Sequence, residues 1–271
     1  MRKRLLRLLL VVFIVIPHLL LPLPGRPWGE QVAFLSTTTG DAPAPAAIAG
    51  HPFIGPAGQP SPSISLTPYR VDQPAYLVYN EMRTVYLGNL ARRDYGIPPL
   101  RWNAQMTAAA RWFSWDSVEN RPTGYCGHQD TLGRWPSERV PAFGYRGFCG
   151  AENCFCGYVT PEEAIAGWMS SPGHRANLLD PNSREVGMGY YRRESDGRGY
   201  LTQDFGHDPA HPPLVIEYEA ITTTSPVVNL YIQALQGNGG FARMGAATEM
   251  MLSNDRCFPE ASWEPYAAER T

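Results

Sequence analysis

The first 24 residues constrain everything that follows them. Arg2, Lys3, Arg4 and Arg7 carry four positive charges, and Leu8 to Leu23 is then almost wholly apolar, broken by Pro17, His18 and Pro22. A basic flank ahead of an apolar run is an export signal or a membrane anchor. The flank stays in the cytoplasm and the rest of the chain is delivered outside. Cleavage stays open: the run is at the short end of the roughly 20 residues a spanning helix needs, and no small-x-small site closely follows. The chain is expected at the cell surface or outside the cell, with the N-terminal segment its one membrane contact, in surroundings where cysteines pair.

Residues 25–71 contain eight prolines between Gly25 and Arg70 and no periodic apolar pattern. Such a stretch buries too little surface to offset its ordering entropy, so it reads as a disordered linker. As a flexible coil it would span roughly 40 Å. Twenty-three basic against 25 acidic residues give a net charge of −2, which speaks against a nucleic-acid partner.

The texture changes at Asp72. Val78, Met82, Val85 and Tyr86 recur at helical spacing after Pro74, predicting a helix to about Arg93 that Gly96 to Pro99 ends. Asn103 can cap a second helix with Met106, Ala109, Ala110 and Phe113 on one face. Thr160, Pro161 and Glu163 form a capping box for a third, with Ile165, Trp168 and Met169 inward. Val186, Met188 and Tyr190 alternate with glycines, Tyr200 to Phe205 alternates too, and Asp196-Gly197 separates the runs as a hairpin turn. Residues 72–206 are therefore α+β.

Within this region lie two histidines, His128 in Cys126-Gly127-His128-Gln129-Asp130 and His174 in Ser171-Pro172-Gly173-His174-Arg175-Ala176-Asn177. Glu152, in Gly150-Ala151-Glu152-Asn153, is the acid expected near both. The SPGHRANLL run 171–179, preceded by Trp168-Met169, resembles the signature of the bacterial CAP (SCP-like) superfamily, which includes cysteine-rich secretory, antigen 5 and pathogenesis-related proteins. Further matching segments come in the same order: Asn80-Glu81-x-Arg83, Pro99-Leu100-x-Trp102-Asn103, Glu152-Asn153, Gly187-x-Gly189 and Thr202-Gln203-x-Phe205.

The resemblance implies a three-layer α-β-α sandwich with an open cleft, in which His128, Glu152 and His174 can hold a divalent cation such as zinc or magnesium. A second acid common in relatives is replaced by Ser171, which would line the cleft. Two imidazoles, one carboxylate and a water make the ligand count of an open zinc site. The resemblance favours binding of a small-molecule, lipid, peptide or envelope-polymer ligand over catalysis. No catalytic residue is assigned. A metal-dependent hydrolase acting at the envelope is the alternative reading, and a structural surface module without an active cleft is a third.

Five cysteines are present. Cys126, Cys149, Cys154 and Cys156 bracket the Glu152 segment. Cys154 and Cys156 are too close to bond each other without strain, so Cys126 is expected to pair with one of the other three, leaving Cys257 as the odd thiol. A zinc site made from Cys149, Cys154 and Cys156 lacks the usual ligand spacing. In residues 207–271, strands are expected at Leu214 to Ala220 and Val227 to Leu235. Together with Trp263-Glu264-Pro265-Tyr266 they resemble the opening of a bacterial immunoglobulin-like module, a short β-rich appendage suited to attachment, spacing or packing on the middle domain.

Overall fold

The first helix starts where proline permits it. α1 (Ala75–Asp94) follows Pro74, and α2 (Ala104–Glu119) begins as Asn103 accepts the amides of Gln105 and Met106, each at 3.0 Å. The protein is seen here as a computed structural model that describes residues 73–233, 247–254, 258 and 261–271. The N-terminal apolar segment, the proline-rich stretch and Cys257 lie outside the described residues. Among those described, no helix is long and apolar enough to cross a membrane.

The core face of α1 is rotated from the one expected. Leu77, Glu81, Thr84, Val85, Gly88, Asn89 and Arg92 are buried, whereas Val78, Met82 and Tyr86 are half-buried. Polar residues occupy this face because each finds partners. Arg111 of α2 forks onto the Glu81 carboxylate, and Asn89 bonds both the amide and the carbonyl of Leu100. The Arg92 guanidinium donates to the carbonyls of Pro98, Leu178, Asp180 and Ser183. Burial, with Arg184 nearby, lowers its pKa to about 9, so it stays charged at neutral pH.

Four strands form the central sheet in the order β1 (Arg101–Trp102), β3 (Glu185–Arg192), β4 (Gly199–His207) and β2 (Phe148–Phe155). β1 runs parallel to β3, and the other pairs are antiparallel. Along β3, Val186, Met188 and Tyr190 point to Leu77 and Val85 of α1, Trp168 of α4 (Pro161–Ser170) and Leu178 of α5 (Pro172–Leu178). Gly187 and Gly189 face the other way, against α2. A Cβ on Gly187 would stand 2.3 Å from the Met106 carbonyl carbon, and one on Gly189 2.2 Å from the Arg111 amide nitrogen. Helices thus cover both faces of the mixed α+β region.

The capping box of α4 forms as expected, Thr160 and Glu163 bonding each other's amides. β2, with a bulge between Cys149 and Ala151, and the short α3 (Pro136–Ala142) were not signalled by periodicity.

After the sheet, β5 (Leu214–Ile216), β6 (Leu230–Ile232) and β9 (Glu269–Arg270) form one small sheet, while β7 (Glu249–Met250) pairs with β8 (Glu264–Pro265). The strand expected to reach Ala220 ends at Ile216. Glu217, Tyr218 and Glu219 take left-handed φ values of 47°, 57° and 65° in a tight 3₁₀ turn. Side-chain anchors hold that turn: Asn89 donates to the Tyr218 carbonyl at 2.9 Å, and Arg101 pairs with Glu219 at 2.5 Å. These two small sheets are what the described residues contain of the expected β-rich appendage.

Candidate functional site

The site grows from β2 and the loop before α3. Glu152 projects from β2 into the interior, where its side chain is 1% exposed, and lies opposite Asp204 in the β2–β4 register. The loop from 120 to 135 brings His128 over it, with Nδ1 2.7 Å from Glu152 Oε1. Three devices fix this loop. Cys126 forms a disulfide with Cys156 just beyond β2. The Tyr200 hydroxyl donates to the Gly127 carbonyl at 2.7 Å and accepts its amide at 3.3 Å. Arg121 donates to the carbonyls of Gln129 and Asp130. The expected pairing of Cys126 with a later cysteine is thereby specified as Cys156, which removes Cys156 from any three-cysteine metal site.

Glu152 has a second partner that the sequence reading did not single out. Arg139 of α3 is wholly buried, forms an ion pair with Glu152 Oε2, and donates to the His128 carbonyl at 3.2 Å. Its guanidinium lies 3.8 Å from the Phe113 ring centroid. Asp204, also buried, comes within 3.9 Å of Arg139. Two buried carboxyls therefore share one guanidinium. Burial first, then the Glu152 charge, push the Asp204 pKa well above the usual carboxylate range. Burial also raises Glu152, opposed by Arg139.

The His128 ring is half-open to solvent, its side chain 40% exposed, above this buried group. Burial and the Arg139 charge lower its pKa, so it is neutral at pH 7. His174 is the third residue of α5. Burial and the nearby His128 lower it too. Asn153 donates to the His174 carbonyl at 3.1 Å, while Asn177 bonds Asn153 Oδ1 at 3.0 Å and the Glu152 carbonyl at 3.3 Å. The asparagines of the two motifs thus tie β2 to α5. Ser171 ends α4 and opens α5, so Pro172 and Gly173 begin a short helix. Among the described residues no hydrogen bond joins its hydroxyl to His174.

The expected metal set is rearranged. Among the described residues, the group whose ligand atoms all lie within 4.8 Å of one another is His128, Glu152 and Cys154, and His174 stands outside it. Cys154 Sγ is 3.6 Å from His128 Nδ1 and 3.4 Å from Glu152 Oε1. Arg139 and Asp204 were legible only in part: Asp204 is the unnamed position within Thr202-Gln203-x-Phe205, and a charged residue at an inward strand position is the signal that could have flagged it. Two concavities lie elsewhere. One of about 330 Å³ sits between the end of α1 and β6, and another of about 620 Å³ beside α5; neither is lined by His128, Glu152 or His174.

This framework matches a known one. The model of the CAP (cysteine-rich secretory protein) family matches residues 79–205. Residues 79–205 are a CAP domain. Two Bacillus subtilis (strain 168) proteins are similar over it. The uncharacterized protein YkwD is 34% identical over 110 residues, 41% of this chain and 42% of its own length. The uncharacterized membrane protein YlbC is 30% identical over 127 residues, 46% and 34% respectively. An extracellular SCP-domain protein from Bacillus anthracis is 28% identical, with a TM-score of 0.43 over 48% of this chain and 41% of that one. The chain spans less than half the length of the curated relatives it matches. The CAP domain covers the whole of the site, from Glu81 through His128, Glu152 and His174 to Asp204.

Proposed function

We propose that this is an exported, cell-surface CAP-domain protein that binds a small-molecule, lipid, peptide or envelope-polymer ligand at the His128 face. The observation that carries this reading is the contrast within one contact: an imidazole 40% exposed resting on a carboxylate 1% exposed. A half-open ring whose orientation is set from below by a buried ion pair is a preorganised polar handle, and orientation fixed before binding removes an entropic cost from it. His174, whose pKa burial and then the nearby His128 depress, supplies a second imidazole to this reading. Helices on both faces of the sheet support the α-β-α layering expected for the domain, and the basic-apolar N-terminus and the disulfide support export.

Binding is favoured over hydrolysis by the state of Glu152. Its Oε1 is engaged by His128 and Cys154 and its Oε2 by Arg139, so it has no free oxygen with which to activate a water. The test follows the His128 and His174 ring signals by NMR in the full chain during titration with anionic lipid vesicles and with soluble envelope-polymer fragments. Movement of the His128 ring signals by one of these is expected. Rings that stay unmoved at millimolar ligand would overturn the reading.

A further inference from the structure

The concavity of about 330 Å³ between the end of α1 and β6 is of a size that small ligands occupy. Tyr218, Tyr231 and Tyr266 line it, together with Arg184, Gln233 and Glu269. Tyr218 is placed by the turn 217–219, where three successive residues other than glycine hold left-handed φ values. Such strain persists where surrounding contacts over-determine it, and it gathers at binding sites. The Tyr218 ring meets Tyr231 at 4.4 Å between centroids, and the Arg93 guanidinium stands 5.9 Å from its centre. The aromatic lining is therefore set before any ligand arrives.

The polar side chains of the cavity are incompletely used. Arg184 donates from Nη1 to the Pro181 carbonyl; among the described residues Nε and Nη2 have no acceptor, and no carboxylate pairs with the group. Burial lowers its pKa by more than nearby Asp180 and Tyr266 offset, as for a desolvated charge short of a counter-ion. Gln233 is 8% exposed, and its Nε2 donates to the Pro99 carbonyl, which fixes Oε1 as the other end of the amide. Oε1 has no donor among the described residues, and buried acceptors in that state are few. Main-chain groups of the walls, by contrast, are engaged. The carbonyls of Pro98 and Pro99 accept from Arg92 and Gln233, the Ile232 amide donates to Ala268 and its carbonyl accepts the Tyr266 hydroxyl, and the Gln233 amide donates to Pro213. A peptide adding as a strand finds no partner on these groups.

We propose that this concavity is a second binding site, for a pyranose sugar that carries a carboxylate: the carboxylate on Arg184, the ring against the tyrosines, and ring hydroxyls on Gln233 and Glu269. Nε and Nη2 are the parallel pair of N–H groups with which a guanidinium grips a carboxylate side-on. A ring that is apolar on its faces and hydroxylated at its edge matches aromatic walls set with single acceptors, since each hydroxyl brings the donor that Gln233 Oε1 lacks. Glu269, the acid in the lining, disfavours a doubly charged group such as a phosphate. The site shares no residue with the His128 face and does not rest on that reading.

Saturation-transfer NMR on the full chain tests this, with glucuronic acid and N-acetylmuramic acid as probes, N-acetylglucosamine as the uncharged control and a tripeptide with a free C-terminal carboxylate as the rival. Transfer to the ring protons of at least one acidic sugar is expected, with N-acetylglucosamine at least tenfold weaker. Arg184→Gln should weaken the acidic sugar at least tenfold. Tyr218→Gly should do the same while melting as a folded protein, because glycine takes a left-handed φ without strain. If one of these variants does not fold, the other decides. Acidic sugars that do not bind at millimolar concentration, an uncharged sugar that binds as well, or binding that survives either variant in full overturns the site. A tripeptide that binds more tightly than the sugars and is lost in Arg184→Gln overturns the choice of ligand. Acidic-sugar binding lost in His128→Gln belongs to the His128 face and overturns the second site. Binding that His128→Gln leaves intact, with His128 ring signals that no ligand moves, upholds the second site and overturns the His128 reading instead.

Discussion

Glu152 and Asp204 stand opposite one another on β2 and β4, two buried carboxyls served by the single guanidinium of Arg139. Folding gives Asp204 a pKa well above its value of about 3.9 in an unfolded chain. The folded state therefore binds more protons than the unfolded one above that pH, and wild-type stability falls as pH rises toward the folded pKa. Asp204→Asn removes this loss. Urea unfolding at pH 5 and pH 8 is expected to show the variant gaining on wild type at the higher pH, and parallel behaviour would refute the assignment.

Arg139→Met takes away the buried guanidinium beside Glu152 and leaves that carboxylate without a countercharge. Breaking a buried pair from one side costs about 3–5 kcal/mol. The double variant Arg139→Met/Glu152→Leu should recover much of that, because no uncompensated charge is left. A single variant as stable as wild type in a denaturant titration would show that the pair contributes nothing.

The disulfide spans 30 residues and anchors the loop that carries His128. Cys126→Ser should destabilise the chain by roughly 3–4 kcal/mol through the freed unfolded-state entropy. It should also broaden the His128 ring signals while leaving those of Trp168, in the opposite layer, sharp. Equal broadening of both would mean that the bond holds the whole domain rather than the loop.

Both imidazoles titrate below the usual value of about 6.5, since burial lowers His128 and His174 alike. The unfolded chain then binds protons first as pH falls, so stability contributed by the neutral rings is present above about pH 6.5 and is lost as pH drops through the folded values. His128→Gln should flatten this acid limb. Ring titration by NMR gives the direct check, and a His128 midpoint above the usual value would contradict the geometry.

Gly189→Ala brings a Cβ to 2.2 Å from a backbone atom of α2, and Gly157→Ala meets nothing within 4 Å. The first should cost about 3 kcal/mol or more by forcing helix and strand apart, and the second about nothing. Thermal melting of the two variants side by side distinguishes them.

Much of the fold was readable because its signals are local. Asn103, the Thr160–Glu163 box and the Asp196-Gly197 turn each act on amides within four residues, and each ended up where local chemistry puts it. The inward face of α1 was not readable, because Glu81, Asn89 and Arg92 are buried by partners that lie far along the chain. The same holds for the site. Motif spacing marked His128 and Glu152, which do meet, whereas Arg139 and Cys154 enter through strand pairing and loop closure that no periodicity encodes. The strand predicted through Ala220 failed for a related reason. Its alternation was real, but tertiary anchors at Tyr218 and Glu219 turn the backbone instead.

The bare backbone of Gly187 and Gly189 gives the central sheet one hard face and one soft face. On the α2 side the layer spacing is set by main chain against main chain, with no side-chain rotamer able to absorb an error. On the α1 side it is set by Val186, Met188, Tyr190 and Trp168, whose shapes can be traded for one another. Sequence change in this protein should therefore accumulate on the α1 side of β3. His128, Glu152 and Arg139 contact elements that close against the rigid side, so their alignment is insulated from that drift.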